Sequence, residues 1–385
     1  MRWQFSVNEI IRQQWNYITG SGKFNTFKIK HLSAISQCRT AALGGHVDAC
    51  SDCGFYKYSY NSCGNRHCPT CGSLKRETWI LKQEEKLLKV PYFHVVFTIP
   101  HELNRLCLQH PRLMYGLLFR TSWQTLQAFA DDPKFLGAKS GMTAVLHTWG
   151  QNLSLHPHLH CIVPGGGITK SGKWITTRSK GKYLYPKKAL RQVFRGKFMA
   201  ALKELAASNT ILLSHKVREV CYRKKWVVYA KRPFARPQDV IEYLGRYTHK
   251  TAISNYRLKA VSNDLITFSY KDYKNGGIKK VMKLHPTEFV RRFALHILPH
   301  GFARIRHFGL LSSRGKSTYL PDIQLSMNIF PYKLYKKELR QAALNRLKRN
   351  NNCPCCGSKK MVEICHFPRG EPPDEVHVIR TVLKL

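Results

Sequence analysis

The hydrophobic residues of this chain recur at two spacings, one typical of helices and one typical of strands. Apolar side chains three or four residues apart predict helices over the opening forty residues and over 74–90, 112–130, 188–208 and 332–350. Short apolar runs predict strands at 92–100, 142–150, 156–167 and 225–233. The second and third of these strands flank a short polar connection and predict a β-hairpin. Because strands and helices are interspersed, the predicted fold class is α+β.

Cysteine-rich and turn-rich stretches divide these predicted elements into four regions. They are an N-terminal helical segment (1–37), a small cysteine-rich domain (38–78), a central domain that contains the hairpin (79–330), and a basic helix followed by a second cysteine cluster (331–385). The central region is long enough to bury a core of its own.

The charge of the chain changes the expected partner. Lys and Arg outnumber Asp and Glu by 64 to 22, a formal net charge of +42. Such a surplus predicts a polyanionic partner, nucleic acid first and anionic membrane second. No apolar run approaches the ~20 residues of a membrane span, and the first residues lack a signal-peptide core. We therefore expect a cytoplasmic protein that does not bind membranes, whose thirteen cysteines are thiols or metal ligands.

Two Cys-x-x-Cys knuckles predict structural zinc. Cys50-x-x-Cys53 and Cys68-x-x-Cys71 are separated by a spacer of the length found in zinc ribbons. Their four thiolates are therefore predicted to bind one zinc ion with tetrahedral geometry. Four interleaved residues predict either a second zinc site or ordinary residues of a small domain: Cys38, His46, Cys63 and His67. A further zinc site is predicted near the C-terminus, from Cys353, Cys356 and Cys365, with Cys355 in the same knuckle and His366 adjacent.

The stretch "LHPHLHCIV" predicts a second kind of metal site. Side chains alternate along a strand, so His158 and His160 share one face while Leu159, Cys161 and Val163 point to the other. Two imidazoles on one face can bind a divalent cation, Mg²⁺ or Mn²⁺. The third ligand is predicted to be His147 in the neighbouring strand, with His156 and Gln151 as alternatives. Three neutral ligands with open positions are typical of a catalytic site.

Two tyrosines four residues apart, Tyr243 and Tyr247, lie on a helix predicted to begin near Pro237. Their spacing also fits core aromatic residues. Beside a metal-binding histidine strand, however, a tyrosine hydroxyl can attack a phosphodiester that a cation polarises. Arg246, Lys250 and His249 are close enough in sequence to contact the phosphate.

The histidine pair and the tyrosine pair resemble those of the HUH (His-hydrophobic-His) endonucleases. The order of features is similar to that of the rolling-circle transposases of the insertion-sequence 91 family. The matching stretches span roughly residues 38–314 and include "CRTAALGGHVDACSDCG", "NSCGNRHCPTCG", "HVVFTIPHELN", "LHTWGQNLSLHPHLHCIVPGGG", "YLGRYTHKTAISNYR" and "FVRRFALHILPHGFARIRHFGLLSSR".

The resemblance implies a fold and an activity. It implies an antiparallel sheet flanked by helices, preceded by a zinc-binding domain, that cleaves single-stranded DNA at element ends. Cleavage would produce a 5′-phosphotyrosine and a free 3′-OH that primes rolling-circle-type transposition. By motif match, His158 and His160 become metal ligands, and Tyr243 and Tyr247 become nucleophiles whose order of action stays open.

The resemblance also implies two DNA partners, the element ends and the target DNA. It implies a location at the nucleoid. Because the sequence has no G-x-x-x-x-G-K-[ST] loop, unwinding is expected to come from a host helicase or replication machinery. An oligomer in the strand-exchange complex is compatible with the sequence. Contacts with the DNA backbone and bases are predicted from five basic residues: Arg246, Lys250, Arg304, Arg306 and Arg314.

Three other readings explain less of the sequence. A metal-independent tyrosine recombinase would use His215-x-x-Arg218 upstream of Tyr243, but it gives the clustered histidines no role. A non-enzymatic zinc-finger DNA-binding regulator explains the charge and the cysteines alone. A transposase with carboxylate metal ligands is disfavoured by the small number of acidic residues, 22 in all.

Overall fold

The computed structural model describes residues 4–84, 88–179, 183–230, 234, 239–240, 243, 245, 251–329, 335–347, 352–371 and 374–383. The chain forms two compact units, each assembled from segments that are distant in sequence. The first unit contains Met1–Thr78, His249–Ile297 and Tyr335–Leu385, and the second contains Trp79–Thr248 and Leu298–Leu334.

The described helices are, in chain order, α1 (Val7–Gln13), α2 (Trp15–Gly20), α3 (Thr26–Ser36), α4 (Ser73–Glu84), α5 (Asn104–Gln109), α6 (Pro111–Asp131), α7 (Lys187–Ala207), α8 (His215–Arg223), α9 (Pro286–Ala294), α10 (Ser313–Thr318), α11 (Leu320–Ser326), α12 (Lys336–Arg346) and α13 (Glu375–Val382). Within the part of the chain described, no helix combines the length and the apolar character that crossing a membrane requires.

The described strands are β1 (Gly45–Cys50), β2 (Tyr56–Tyr60), β3 (Tyr92–Thr98), β4 (Gly141–Trp149), β5 (Leu155–Pro164), β6 (Gly166–Ile168), β7 (Trp174–Thr176), β8 (Val227–Ala230), β9 (Leu258–Val261), β10 (Ile266–Asp272), β11 (Ile278–Leu284), β12 (Ile305–Gly309) and β13 (Met361–Phe367). The strands and helices confirm the predicted α+β class. The predicted hairpin is confirmed by the antiparallel pairing of β4 with β5.

The second unit is built on a five-stranded antiparallel sheet with the order β12-β4-β5-β3-β8. One face of this sheet is covered by α6 and α7. Leu159, Cys161 and Val163 point into this core, as the alternation along the strand predicted. The opposite face therefore carries His158 and His160, together with the side chains of the neighbouring strands that share their alternation.

The helix α7 packs on the sheet because its apolar residues fall one turn apart. Leu190, Phe194, Phe198 and Leu202 are all fully buried, and each such burial contributes about 1.5–3 kcal/mol. The rings of Phe97 and Phe194 lie 4.9 Å apart between their centroids. The sheet is thus packed against a helical layer on one face, while its other face carries the histidines beside a second apolar cluster.

In the first unit, the strand β13 from the C-terminal region pairs with β1 from the N-terminal region, in a sheet of order β13-β1-β2. Glycine is required at Gly45, because a Cβ there would come within 2.5 Å of the Ser59 carbonyl oxygen on the neighbouring strand. A separate antiparallel sheet has the order β11-β10-β9. Neither β13 nor this second sheet was predicted from the sequence.

Candidate active site and cysteine clusters

Three histidines converge on the face of the five-stranded sheet that lies opposite α6 and α7. His147 on β4 lies directly opposite His158 on β5, and His160 follows two residues later on the same face. One ring nitrogen from each of the three lies within 4.8 Å of the others. His147 and His160 are buried and His158 is half-buried. The three nitrogens are therefore close enough together to hold one cation.

Hydrogen bonds select the nitrogens that can bind an ion. The His158 Nδ1 lies 2.7 Å from the His156 carbonyl oxygen, which can only accept, so Nε2 of His158 is the nitrogen left for a metal. The structure groups His147, rather than the alternative His156, with the pair. Gln151 stays an alternative ligand.

The ring of His147 packs against Trp149, which in turn contacts Arg304. It stacks on Trp149 with 4.5 Å between centroids, and the Arg304 guanidinium lies 4.9 Å from the centroid of that indole. The register of β4 and β5 shifts between His147 and Trp149. Such bulges re-aim side chains beside functional sites.

A fourth histidine, His94 on β3, was not singled out in the sequence. It is buried, with 2% of its surface exposed. Its Nε2 lies 2.9 Å from Nδ1 of His160, and the planes of the two rings are within 9° of parallel, so the rings meet edge to edge. The pairing of Val96 with His160 places His94 diagonally beside it. Only the strand order reveals this neighbour, since 66 residues separate the two histidines.

Tyr243 lies on the same face of the sheet. Its hydroxyl oxygen is 3.4 Å from Nδ1 of His94, and the two rings meet edge-on with 4.9 Å between centroids. Val240, one turn earlier, is fully buried in an apolar cluster with Val145 and Ile162 of the sheet. Tyr247, Arg246, His249 and Lys250 lie outside the described residues.

The three other predicted DNA contacts differ in exposure. Arg304 is buried, and its Nε donates to the Leu146 carbonyl oxygen at 3.2 Å. The guanidinium thus packs between the backbone and the Trp149 indole, and its predicted contact with DNA stays a prediction. Arg306 lies over the rings of Phe119 and Phe302, and its desolvation lowers its pKa. Arg314 is exposed and lines a cavity of about 560 Å³.

Eight of the thirteen cysteines form two clusters, and neither cluster combines the two predicted knuckles. One contains Cys38, Cys63, Cys68 and Cys71, and the other contains Cys50, Cys53, Cys353 and Cys356. The predicted single site of Cys50, Cys53, Cys68 and Cys71 is therefore wrong. The pairing of Cys50 with Met361 across β1 and β13 is the reason, since it brings the C-terminal knuckle to the end of β1.

Three predicted zinc ligands lie outside both thiol clusters. His67 is buried and accepts from Nε of Arg66 at 3.3 Å. Cys365 lies in the middle of β13, opposite Val47. His46 instead groups with Asp48 and Glu363.

Both thiol clusters have the dimensions of a tetrahedral zinc site. A Zn–S bond of about 2.3 Å places the four sulfurs about 3.8 Å apart. The observed separations are 3.7 Å for Cys63–Cys71 and 3.6 Å for both Cys50–Cys356 and Cys53–Cys353. In the first cluster, hydrogen bonding to Cys38 lowers the pKa of the Cys68 thiol. The donor set therefore fits Zn²⁺.

Comparisons with known proteins agree with a zinc-binding region near the N-terminus. Residues 10–99 match the family described as "Transposase zinc-binding domain", and residues 141–318 match the family described as "Putative transposase". The zinc-binding match and the cysteine clusters together support structural zinc. Cys353 and Cys356 lie outside both matched segments.

Two curated relatives cover most of the chain. It is 41% identical over 361 residues to "Putative transposase y4qJ" of Sinorhizobium fredii, covering 88% of this chain and 89% of the relative. The chain is 28% identical over 365 residues to "Transposase for insertion sequence element IS801" of Pseudomonas savastanoi pv. phaseolicola. This match covers 90% of this chain and 86% of the relative. No solved structure matches it. The chain therefore belongs to the insertion-sequence 91 family of transposases.

Proposed function

We propose that this transposase nicks single-stranded DNA at the ends of its element by attack of Tyr243 on a phosphodiester held at the histidine cluster. The observation that carries the proposal is the contact between the Tyr243 hydroxyl and His94, which in turn contacts His160. A tyrosine that only filled space in the core would not require a hydroxyl in contact with His94, one of four clustered histidines. Because the cluster and the tyrosine share one face of one sheet, a phosphate can reach both.

The reaction conserves the energy of the phosphodiester bond. The Tyr243 phenol oxygen forms a bond to phosphorus while the bond from phosphorus to the 3′ oxygen breaks. The phenol loses a proton and the departing 3′ oxygen gains one, so the products are a 5′-phosphotyrosine and a 3′-OH. We propose Tyr247 as the second nucleophile from its sequence position alone.

His147, His158 and His160 would hold a divalent cation, Mg²⁺ or Mn²⁺. When bound, it would draw electron density from the phosphate and favour attack by a phenol, which is a poor nucleophile at neutral pH. The chain itself contributes the orientation of the three imidazoles. The His156 carbonyl oxygen fixes the His158 ring, His94 contacts the His160 ring, and Trp149 stacks on the His147 ring.

A DNA strand would follow a basic and aromatic surface of the second unit. The 560 Å³ cavity is lined by Trp123, Tyr319, Lys139 and Arg314. The Lys139 ammonium donates to the Tyr319 hydroxyl at 3.2 Å, so a cation and an aromatic ring are presented together. Aromatic faces beside cations suit stacked bases and phosphates. We propose that the protein acts on DNA in the cytoplasm, at the nucleoid, with unwinding supplied by a host helicase.

The proposal is tested with a single-stranded oligonucleotide that contains the element end and is labelled at its 3′ terminus. Incubation with Mn²⁺ is expected to give a labelled adduct that survives denaturation, because the fragment downstream of the nick stays on the tyrosine. His158→Ala and His160→Ala are each expected to abolish nicking while binding of the same oligonucleotide is retained. Mass spectrometry of the adduct identifies the modified tyrosine.

Tyr243→Phe and Tyr183→Phe form a matched pair, since Tyr183 is an exposed tyrosine of the same unit. Tyr243→Phe is expected to remove the adduct at residue 243, whereas Tyr183→Phe leaves it unchanged. Nicking by His158→Ala at the wild-type rate would overturn the metal assignment.

A metal-independent recombinase has less support from the structure. His215 lies on the exposed surface of α8, 3.8 Å from the Glu219 carboxylate. A recombinase of this kind would retain cleavage in EDTA and would carry a 3′-phosphotyrosine, so a 5′-labelled oligonucleotide would form the adduct instead.

A further inference from the structure

His94 connects the proposed nucleophile to the proposed metal ligands. Each of its ring nitrogens has a different neighbour: Nε2 lies 2.9 Å from His160 Nδ1, and Nδ1 lies 3.4 Å from the Tyr243 hydroxyl. The ring is 2% exposed and is carried by the central part of β3. Its position is therefore set by the sheet rather than by a loop.

The hydrogen-bond roles follow from the ligand position. Since Nδ1 of His160 faces His94, Nε2 of His160 is the nitrogen available to a cation. With a cation on Nε2, Nδ1 of His160 would carry the ring hydrogen and donate it to Nε2 of His94. The neutral His94 ring must in turn carry its hydrogen on Nδ1, which can donate to the Tyr243 oxygen. The phenol oxygen is thereby held by a donor and keeps a lone pair for phosphorus.

We propose that His94 is a positioning residue that acts on both halves of the site. It orients the His160 ring toward the cation, and it holds the Tyr243 oxygen at a fixed place relative to that ligand. The inference rests on the proposed function and assigns to His94 a role that the motifs do not contain. Residues that orient a metal ligand typically change metal affinity 10–100-fold. Misplacement of a reacting group by about 1 Å can cost about 100-fold in rate.

Two amide substitutions separate the two contacts. The side-chain amide of Gln reaches the place of Nε2, and that of Asn reaches the place of Nδ1. His94→Gln retains an acceptor for His160 and loses the contact with Tyr243. His94→Asn retains a donor for Tyr243 and loses the contact with His160. His94→Ala loses both.

The experiment measures Mn²⁺ affinity and single-turnover nicking separately in the full chain. For His94→Gln we expect an Mn²⁺ dissociation constant near that of wild type and a nicking rate at saturating Mn²⁺ reduced 10–100-fold. For His94→Asn we expect Mn²⁺ binding weakened 10–100-fold and a nicking rate at saturating Mn²⁺ near that of wild type. Thermal unfolding of each variant identifies any that fails to fold. A merely structural role would move both quantities together in both variants.

Equal effects of Gln and Asn on both quantities, or wild-type behaviour of His94→Ala, would overturn the proposal. Crystal structures of wild type and His94→Gln provide a readout that does not depend on nicking. We expect the Tyr243 ring to occupy a different position in the variant from its position in wild type. If wild type forms no adduct but His94→Asn still weakens Mn²⁺ binding, the proposed function fails while the ligand-orienting role of His94 stands.

Discussion

At the scale of single residues, the same side-chain type has opposite roles in this protein depending on burial. Arg304 is 7% exposed and lies over the indole of Trp149, behind the proposed ligand His147. Arg314 is exposed and lines the aromatic cavity. Their sequence surroundings are similar, since both lie in one basic and aromatic stretch, so only the structure distinguishes a packed guanidinium from one that DNA can contact.

Substituting these two arginines tests that distinction. Arg304→Ala removes a hydrogen bond to the backbone and a cation–π contact, so we expect the free energy of unfolding to fall by about 2 kcal/mol. Arg314→Ala is expected to leave stability unchanged and to lower the slope of log K against log salt for single-stranded DNA by about 1. Urea unfolding and binding titrations at several salt concentrations measure both. If the Arg304→Ala variant folds and its salt slope is reduced, Arg304 contacts a DNA phosphate as the sequence predicted.

At the scale of secondary-structure elements, strand pairing decides which ligands meet. The pairing of β1 with β13 brings Cys353 and Cys356 to Cys50 and Cys53. The pairing of β3 with β5 brings His94 beside His160. The strands β3 and β5 were each expected from their local patterns, but their pairing was not. For β1 and β13, the sequence predicted the cysteine knuckles but neither the strands nor their pairing.

The cysteine clusters predict the zinc content of the chain. We expect two zinc ions in wild type and one in Cys353→Ser, because removing one of four thiolates opens a tetrahedral site. Cys68→Ser is expected to lose the other ion. Cys355→Ser is a matched control, since Cys355 is exposed and belongs to neither cluster. Native mass spectrometry counts the ions.

Retention of both ions by Cys353→Ser would show that the C-terminal knuckle is not a ligand. Because zinc binding supplies folding free energy, chelation is also expected to reduce the cooperativity of unfolding of the first unit.

At the scale of the whole molecule, the net charge of +42 governs association with DNA of any sequence. We expect affinity for a single-stranded oligonucleotide without element sequence to fall about 10²–10³-fold between 50 and 200 mM salt, as for a protein that neutralises roughly six phosphates. Fluorescence anisotropy measures this slope. An affinity independent of salt would mean that the positive charges do not contact the DNA backbone.

The sequence alone determined the properties that depend on neighbouring residues. Alternation along 156–163 assigned His158 and His160 to one face and Leu159 and Cys161 to the other, because a strand turns successive side chains to opposite sides. Helical spacing likewise identified α6 and α7, and the motifs identified the family, which the comparisons confirm.

Only the tertiary structure decided the groupings between residues that are distant in sequence. These are the division of eight cysteines into two clusters, the place of His94 between His160 and Tyr243, and the burial of Arg304. The physical reason is that strand partners are chosen by the packing of the whole chain. The spacing of Cys50-x-x-Cys53 specifies half of a metal site, and nothing local to it specifies that the other half lies 300 residues away.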